Sequence, residues 1–208
     1  MILKDAFYFG SNLYDPLIRE MPDGKPICDK KDIGLIAQMI CDTEGDHLEV
    51  GTAYGGTLFA AIKAMEYCNR KGKVVSIEPF GEDIRNTLHK AVEKEFWNNV
   101  KHFGYADRIE HIKKNTRPGS EYPIKNRRFA TAFIDGDHSF EYVLNDWNNI
   151  KNMVDCYIMF HDYRKPAIKD VVDTYAIMDN RWRVGATEGW SVVLENKQWI
   201  LQKTNSSN

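Results

Sequence analysis

Short apolar runs alternate with longer stretches of helical periodicity from Asp46 almost to the C-terminus. Runs of this length bounded by turn residues read as buried strands, and the stretches between them as crossover helices. The pattern predicts strands near His47–Val50, Lys73–Glu78, Arg108–Lys113, Phe129–Asp135, Cys156–His161, Arg181–Gly185 and Trp190–Glu195, with residues near Gln198–Leu201 adding to the last. Helices are predicted near Asp32–Cys41, Thr57–Asn69, Asp83–Phe103, Phe140–Met153 and Ile168–Met178. Strand–helix alternation implies an α/β fold built on a doubly wound, mostly parallel seven-stranded sheet. Only Ala186 to Gly189 separates the last two strands, too little for a parallel crossover, so the sheet is expected to close with an antiparallel hairpin.

Met1–Lys31 does not share this pattern. It carries Phe7, Tyr8, Phe9 and Tyr14, is broken by Pro16, Pro22 and Pro26, and reads as irregular. Residues 1–45 are therefore expected to be a segment and helix covering the site, with Tyr8 and Tyr14 over the acceptor pocket, residues 46–203 the binding domain, and residues 204–208 a flexible tail.

Composition narrows the function classes. A chain of 208 residues, 43% hydrophobic and 12% aromatic, fits one domain with a sizeable core. A net charge of −2 supplies no basic field for nucleic acid. No apolar run approaches the ~20 residues that span a bilayer, and the N-terminus lacks a signal peptide's apolar region. Cys28, Cys41, Cys68 and Cys156 show no metal-ligand spacing and read as reduced thiols of a cytoplasmic protein. Self-association stays open.

The stretch HLEVGTAYGGTLFAA, His47 to Ala61, carries the first chemistry. A strand with Glu49 near its end runs into Gly51, Thr52, Ala53, Tyr54, Gly55, Gly56 and Thr57, then a helix. Glycines let a loop and its backbone N–H groups close around a ligand. The order acidic-x-Gly-x-x-x-Gly differs from the dinucleotide pattern Gly-x-Gly-x-x-Gly. A carboxylate at this strand end suits the ammonium group of S-adenosylmethionine (SAM) and opposes a pyrophosphate. Alone, the loop also suits an ordinary strand–helix turn. Glu78, closing the second strand before Pro79 and Phe80, is placed to accept hydrogen bonds from ribose hydroxyls, with Phe80 against the adenine. Asn115 or Thr116, after the third strand, suits the adenine edge or a plain turn into Arg117-Pro118-Gly119.

A second set of polar residues follows later strands. FIDGDHSF brings Asp135, Asp137 and His138 together, and MFHDYR brings His161 and Asp162. If both ends lie at the sheet edge that carries the glycine loop, these groups can collect a divalent cation or take a proton. Asp135 and Asp162 are the metal candidates, with His161 beside them, and His138 or His161 is the candidate base. Asp137 or Ser139 equally suits the N-cap of the helix that begins near Phe140.

The stretches LEVGTAYGGTLFAAI, VVSIEP, FIDGDHSFEYVLNDW and YIMFHDY, spread over residues 46–175, resemble class I SAM-dependent methyltransferases with a Rossmann-like sheet. More narrowly, they resemble the macrocin-type O-methyltransferase and cephalosporin hydroxylase-like group. The resemblance implies SAM near Glu49, Gly51, Gly55 and Glu78, a small-molecule methyl acceptor such as a sugar, and, for metal-dependent members, magnesium (Mg2+) near Asp135 and Asp162. The chain departs from the pattern in having Met153-Val154-Asp155 in place of a Pro-Gly-Gly turn, and His161 and Tyr163 as the neighbours of Asp162. Two rivals stand beside this reading. One is a hydroxylase-like or NAD-dependent enzyme on the same scaffold, the other a non-catalytic SAM-fold binding module.

Overall fold

A computed structural model describes residues 3–25, 28–81 and 88–206. Its centre is a seven-stranded sheet in the order β3-β2-β1-β4-β5-β7-β6. The strands are β1 (His47–Val50), β2 (Val74–Ile77), β3 (Ile109–Ile112), β4 (Phe129–Ile134), β5 (Val154–Phe160), β6 (Trp182–Glu188) and β7 (Ser191–Asn196). The first five pair in parallel, and β7 joins both β5 and β6 antiparallel. The doubly wound order and closing hairpin expected from the alternating pattern are therefore present. Strand order reverses between β1 and β4, which leaves a crevice at their carboxyl ends.

Successive residues on these strands serve opposite faces, as the pleat requires. Val74, Phe133 and Met159 join one core with the helices α1 (Leu3–Glu20), α2 (Lys30–Asp42), α3 (Gly56–Tyr67) and α4 (Leu88–Phe103). Val75, Ala132, Ile134 and Ile158 join the other with α5 (Phe140–Ile150) and α6 (Pro166–Val171), the latter extended by a π-turn over Val172–Ala176. Such two-sided burial explains why the parallel strands are continuous apolar runs.

Four expectations are corrected. The N-terminal stretch is helical: α1 runs from Leu3 to Glu20 with Pro16 inside it. Tertiary packing overrides the proline, because α1 crosses α2 where a Cβ on Gly10 would lie 2.5 Å from that of Ala37. The stretch at Gln198–Leu201 belongs to a helix, α7 (Lys197–Ser206), and adds nothing to β7. Asn196 starts that helix, its Oδ1 accepting the N–H groups of Gln198 at 3.0 Å and Trp199 at 3.4 Å. The hairpin turns at Gly189-Trp190 and not across Ala186–Gly189, since a register shift at Gly185 lets β6 run on to Glu188. Finally, Cys41 at the end of α2 and Cys68 at the end of α3 form a disulfide with Cα atoms 5.4 Å apart. That pairing corrects the expectation of a reduced thiol at Cys41 and Cys68, while Cys28 and Cys156 are free and buried. The predicted helix start at Asp83 lies outside the described residues, and no described helix is long and apolar enough to cross a membrane.

Candidate functional site

A cavity of about 850 Å³ opens at the carboxyl ends of β1, β2, β4 and β5. On one side its wall is Gly51, Thr52, Ala53, Tyr54, Gly56 and Thr57, with Glu78, Pro79, Asn115 and Thr116 continuing it. Asp135, His138, His161 and Asp162 stand on the other. The two clusters separated by about eighty residues in the chain thus share one chamber. Glu49 and Gly55 are not part of the wall. Phe80 is not either: it is buried against Phe96 and His111, ring centroids 5.3 and 4.9 Å away, so it is not free to cover an adenine. Of the N-terminal segment, Lys25 and Cys28 line the cavity, whereas Tyr8 is 63% exposed elsewhere and Tyr14 packs on the core.

The glycine loop owes its path to close contacts. Gly51 has φ +83°, and a Cβ there would sit 2.0 Å from the carbonyl oxygen of Asp135. Its tightness lets β1 and β4 end side by side. Four of the loop's backbone donors, those of Gly51, Thr52, Ala53 and Gly55, are used internally. Gly51 N–H donates to Ile77 O at 3.0 Å and Gly55 N–H to Thr52 O at 2.8 Å. The N–H groups of Thr52 and Ala53 both donate to Glu78 Oε2, at 3.1 and 3.3 Å, while Phe80 N–H donates to Oε1 at 3.1 Å. Glu78 therefore ties the loop to β2 and still presents its carboxylate to the cavity.

Glu49 lies sealed beneath the loop. Thr57 Oγ1 donates to its Oε1 at 3.0 Å, and Oε2 has no partner. Burial raises its carboxyl well above the usual range, helped by the charges of Asp135 and Glu78 and opposed by Thr57 and Thr52. Burial thus favours the neutral carboxyl at Glu49, with Oε2 left unpaired beneath the loop.

Across the chamber, β5 ends in a tight turn with Asp162 in the left-handed region at φ +53°. His161, just before it, is held from both sides: Nδ1 lies 3.1 Å from Asp135 Oδ1, and Nε2 lies 3.5 Å from Asp32 Oδ2. Burial disfavours charge on this ring, but the bonds to Asp135 and Asp32, with Cys28 adding to them, prevail and raise its pKa far above the ordinary value. These partners favour the charged form of the ring, with Nδ1 facing Asp135 and Nε2 facing Asp32. Asp135 is buried too, yet its two histidine partners hold its pKa below the usual value and keep it ionised.

His138 differs. Its Nε2 lies 3.3 Å from both Asp135 Oδ1 and Asp162 Oδ2, while Nδ1 faces Lys165 Nζ at 2.9 Å. Carboxylates at Nε2 fix the proton there and leave the lone pair on Nδ1. Asp137 does the local work suggested for it, its Oδ1 accepting Ser139 N–H at 2.7 Å before α5.

Two contributors were not legible in the sequence. Asp32 reads as a helix-start acid, and it is one, closing a capping box with Asp29, yet it also reaches His161 across the sheet edge. Lys165 reads as a surface lysine, and its one signal is the Asp162-x-x-Lys165 spacing ahead of Pro166. In the fold its Nζ lies 2.5 Å from Asp162 Oδ2. Asp135, His138 and Asp162 bring one ligand atom each within 4.8 Å of the others, a spacing that a cation can bridge. Mg2+ nevertheless does not fit the set as arranged. It asks for near-octahedral oxygen ligation, whereas one donor here is an imidazole and the carboxylates already hold Lys165, His138 and His161.

Behind Thr116, Asp146 is buried inside α5. Tyr122 O–H donates to its Oδ1 at 3.2 Å and Oδ2 has no partner. Burial raises its pKa from 3.8 to about 7, against the hydrogen bonds from Thr116 and Tyr122. A carboxyl raised in the folded state loses stabilising effect as pH climbs from its unfolded value through its folded one. Asp146→Asn is therefore expected to stabilise the protein near pH 8 by on the order of 1–3 kcal/mol, and not near pH 4. Urea unfolding at the two pH values measures this, and an equal change at both would refute it.

Known proteins share this fold. An uncharacterised protein of Acanthamoeba polyphaga mimivirus is 30% identical over 127 residues, 57% of this chain and about half (51%) of that protein. Among solved structures, CalS11, a TDP-rhamnose 3′-O-methyltransferase of calicheamicin biosynthesis, superposes with a TM-score of 0.57 at 12% identity, covering 90% of this chain and 93% of its own. TomG, an O-methyltransferase of Streptomyces achromogenes solved with SAM, gives 0.55 at 14% identity over 92% and 89%. At such identities the likeness is one of fold. The sequence model of the methyltransferase domain matches residues 48–163, the span from β1 through the turn after β5 that builds both walls of the cavity. By that match the chain belongs to the methyltransferase domain family.

Proposed function

We propose that this protein is a SAM-dependent O-methyltransferase acting on a hydroxyl of a small polyhydroxylated metabolite or sugar. One observation carries the reading: a single cavity has a glycine loop and an acidic strand end on one side and a histidine backed by carboxylates on the other. The residues fit the cofactor. Glu49, sealed beneath the loop, braces it through Thr57 Oγ1, and the loop residues Gly51 to Tyr54 above it line the cavity where the amino-acid part of SAM would lie. Glu78 spends its loop hydrogen bonds on backbone donors, and a carboxylate has lone pairs to spare for ribose hydroxyls. Thr116 and Asn115 line the same cavity beyond Glu78, where they would meet the adenine edge. The order acidic-x-Gly-x-x-x-Gly, which differs from the dinucleotide pattern Gly-x-Gly-x-x-Gly, counts against NAD.

When bound, SAM supplies an electrophilic methyl group, whose bond to sulfur breaks with its electron pair left on sulfur as the acceptor oxygen forms the new C–O bond. The chain's own part is to hold the acceptor and take its proton. His138 Nδ1 receives that proton, while Asp135 and Asp162 at Nε2 stabilise the imidazolium that results. His161, already paired twice, fixes Asp135 and does not act as base. No step here passes through Mg2+.

Titration calorimetry with S-adenosylhomocysteine (SAH) and NAD, followed by transfer of label from SAM into a panel of sugars and hydroxylated metabolites, tests the reading. Binding of SAH alone and label on oxygen are expected. Binding of NAD alone would overturn the cofactor assignment, and SAH binding without transfer to any acceptor would favour a non-catalytic module.

A further inference from the structure

We infer that Lys165 takes the place of a divalent cation in this site, so that the positive charge beside the acceptor oxygen is a side chain and the chamber works without metal. The inference rests on the O-methyltransferase reading above and deepens it. Asp135, His138 and Asp162 converge closely enough to bind a metal ion. The ammonium of Lys165 lies beside that group, 2.5 Å from Asp162 Oδ2 and 2.9 Å from His138 Nδ1. Two carboxylates drawn together need cations beside them, and here the chain provides both: the His161 ring, with Nδ1 3.1 Å from Asp135 Oδ1 and 3.7 Å from Asp162 Oδ2, and Lys165 on the cavity side of Asp162.

The position of Lys165 follows from its local structure. The turn after β5, with Asp162 at φ +53°, leads directly into α6, whose first residue is Pro166. The N–H of Lys165 bonds back to Asp162 O at 2.8 Å. Both ends of the side chain are thereby referred to Asp162, backbone at one and carboxylate at the other. A flexible surface lysine has neither anchor. With 45% of its side chain exposed, Lys165 borders the cavity and is not buried in the core.

Chemically, the ammonium does what a metal ion would. His138 Nδ1 is the lone pair that takes the acceptor's proton, and Lys165 is hydrogen-bonded to that same nitrogen. A hydroxyl that displaces the lysine from Nδ1 has the ammonium beside its own oxygen, where negative charge grows as the proton leaves. Asp162 keeps the ammonium from drifting away during the exchange. Lys165 is in this sense a catalytic residue, and Arg164, which packs over the Trp190 ring at 4.8 Å, is directed elsewhere.

The test uses the whole chain, stripped of metal and loaded with SAH, with Mn2+ as the probe read by electron paramagnetic resonance. Wild type and Lys165→Arg are expected to leave the free Mn2+ signal undiminished. Lys165→Met, which removes the charge and keeps the length, is expected to take up Mn2+ stoichiometrically, and a further Asp162→Asn change to abolish that uptake. In parallel, label transfer from SAM should fall about 100-fold in Lys165→Met, recover in part with Mn2+, and be untouched by EDTA in wild type. Stoichiometric Mn2+ binding by wild type, or failure of Lys165→Met to bind it, overturns the inference. Loss of SAH binding by the unaltered protein would instead count against the methyltransferase reading itself, so the two failures are told apart.

Discussion

Replacing His138 with glutamine is expected to cut methyl transfer by about 10²- to 10⁴-fold, the usual worth of a positioned acid–base group, and to leave SAH affinity unchanged. Glutamine retains a donor that can face Asp135 and Asp162, which lie 3.3 Å from the histidine Nε2. It offers no basic nitrogen at the position of Nδ1. Because the side chain is partly exposed at the cavity rim and sits in a turn, the fold should tolerate the change. Turnover measured at saturating SAM, with SAH binding by calorimetry as the control, separates the two effects. Activity within about tenfold of wild type would remove His138 from the reaction. A parallel loss of SAH affinity would make it a residue of the cofactor wall instead.

Gly51→Ala is expected to be the most damaging single-methyl change in the site. Gly51 holds φ +83°, and the added Cβ would stand 2.0 Å from Asp135 O and 2.5 Å from its carbonyl carbon. Neither atom is the end of a flexible side chain, so β1 and β4 must part or the loop must unwind. Left-handed strain alone costs about 1 kcal/mol, and backbone overlap adds to it, for a total of about 3 kcal/mol or more. Gly119→Ala is the matched control, with φ +80° and nothing within 4 Å of its Cβ position. It should cost only the conformational part. Urea unfolding compares the two, and SAH titration should show binding lost in Gly51→Ala and kept in Gly119→Ala. Equal destabilisation of the pair would mean that the approach of the loop to Asp135 is not what shapes the cavity.

The legible and illegible parts of this site divide by the range of the interactions involved. Gly51 and Glu78 stand at strand ends that periodicity locates, so their place on the cavity wall follows from the strand–turn–helix pattern, whereas Glu49 and Gly55, equally prominent in the sequence, lie off that wall. Tertiary structure decided how those groups are employed. Glu78 accepts two N–H groups of the glycine loop and that of Phe80, and Phe80 turns into an aromatic cluster with φ +47°, where the sequence alone suggested contact with adenine. His138 and His161 look equivalent along the chain, each beside an aspartate at the end of a strand. They differ because Asp32, more than a hundred residues before His161, captures the second nitrogen of that ring alone.

Local pattern in the sequence determined the sheet, its parallel strands and closing hairpin, and the edge at which chemistry gathers, since buried runs and turn residues report burial and chain direction directly. It could not reveal that α1 forms through Pro16, that Cys41 meets Cys68, or that Lys165 comes to rest between Asp162 and His138. Those outcomes depend on which distant groups occupy the same few ångströms, and charge pairing and close packing at that range leave no period in the chain.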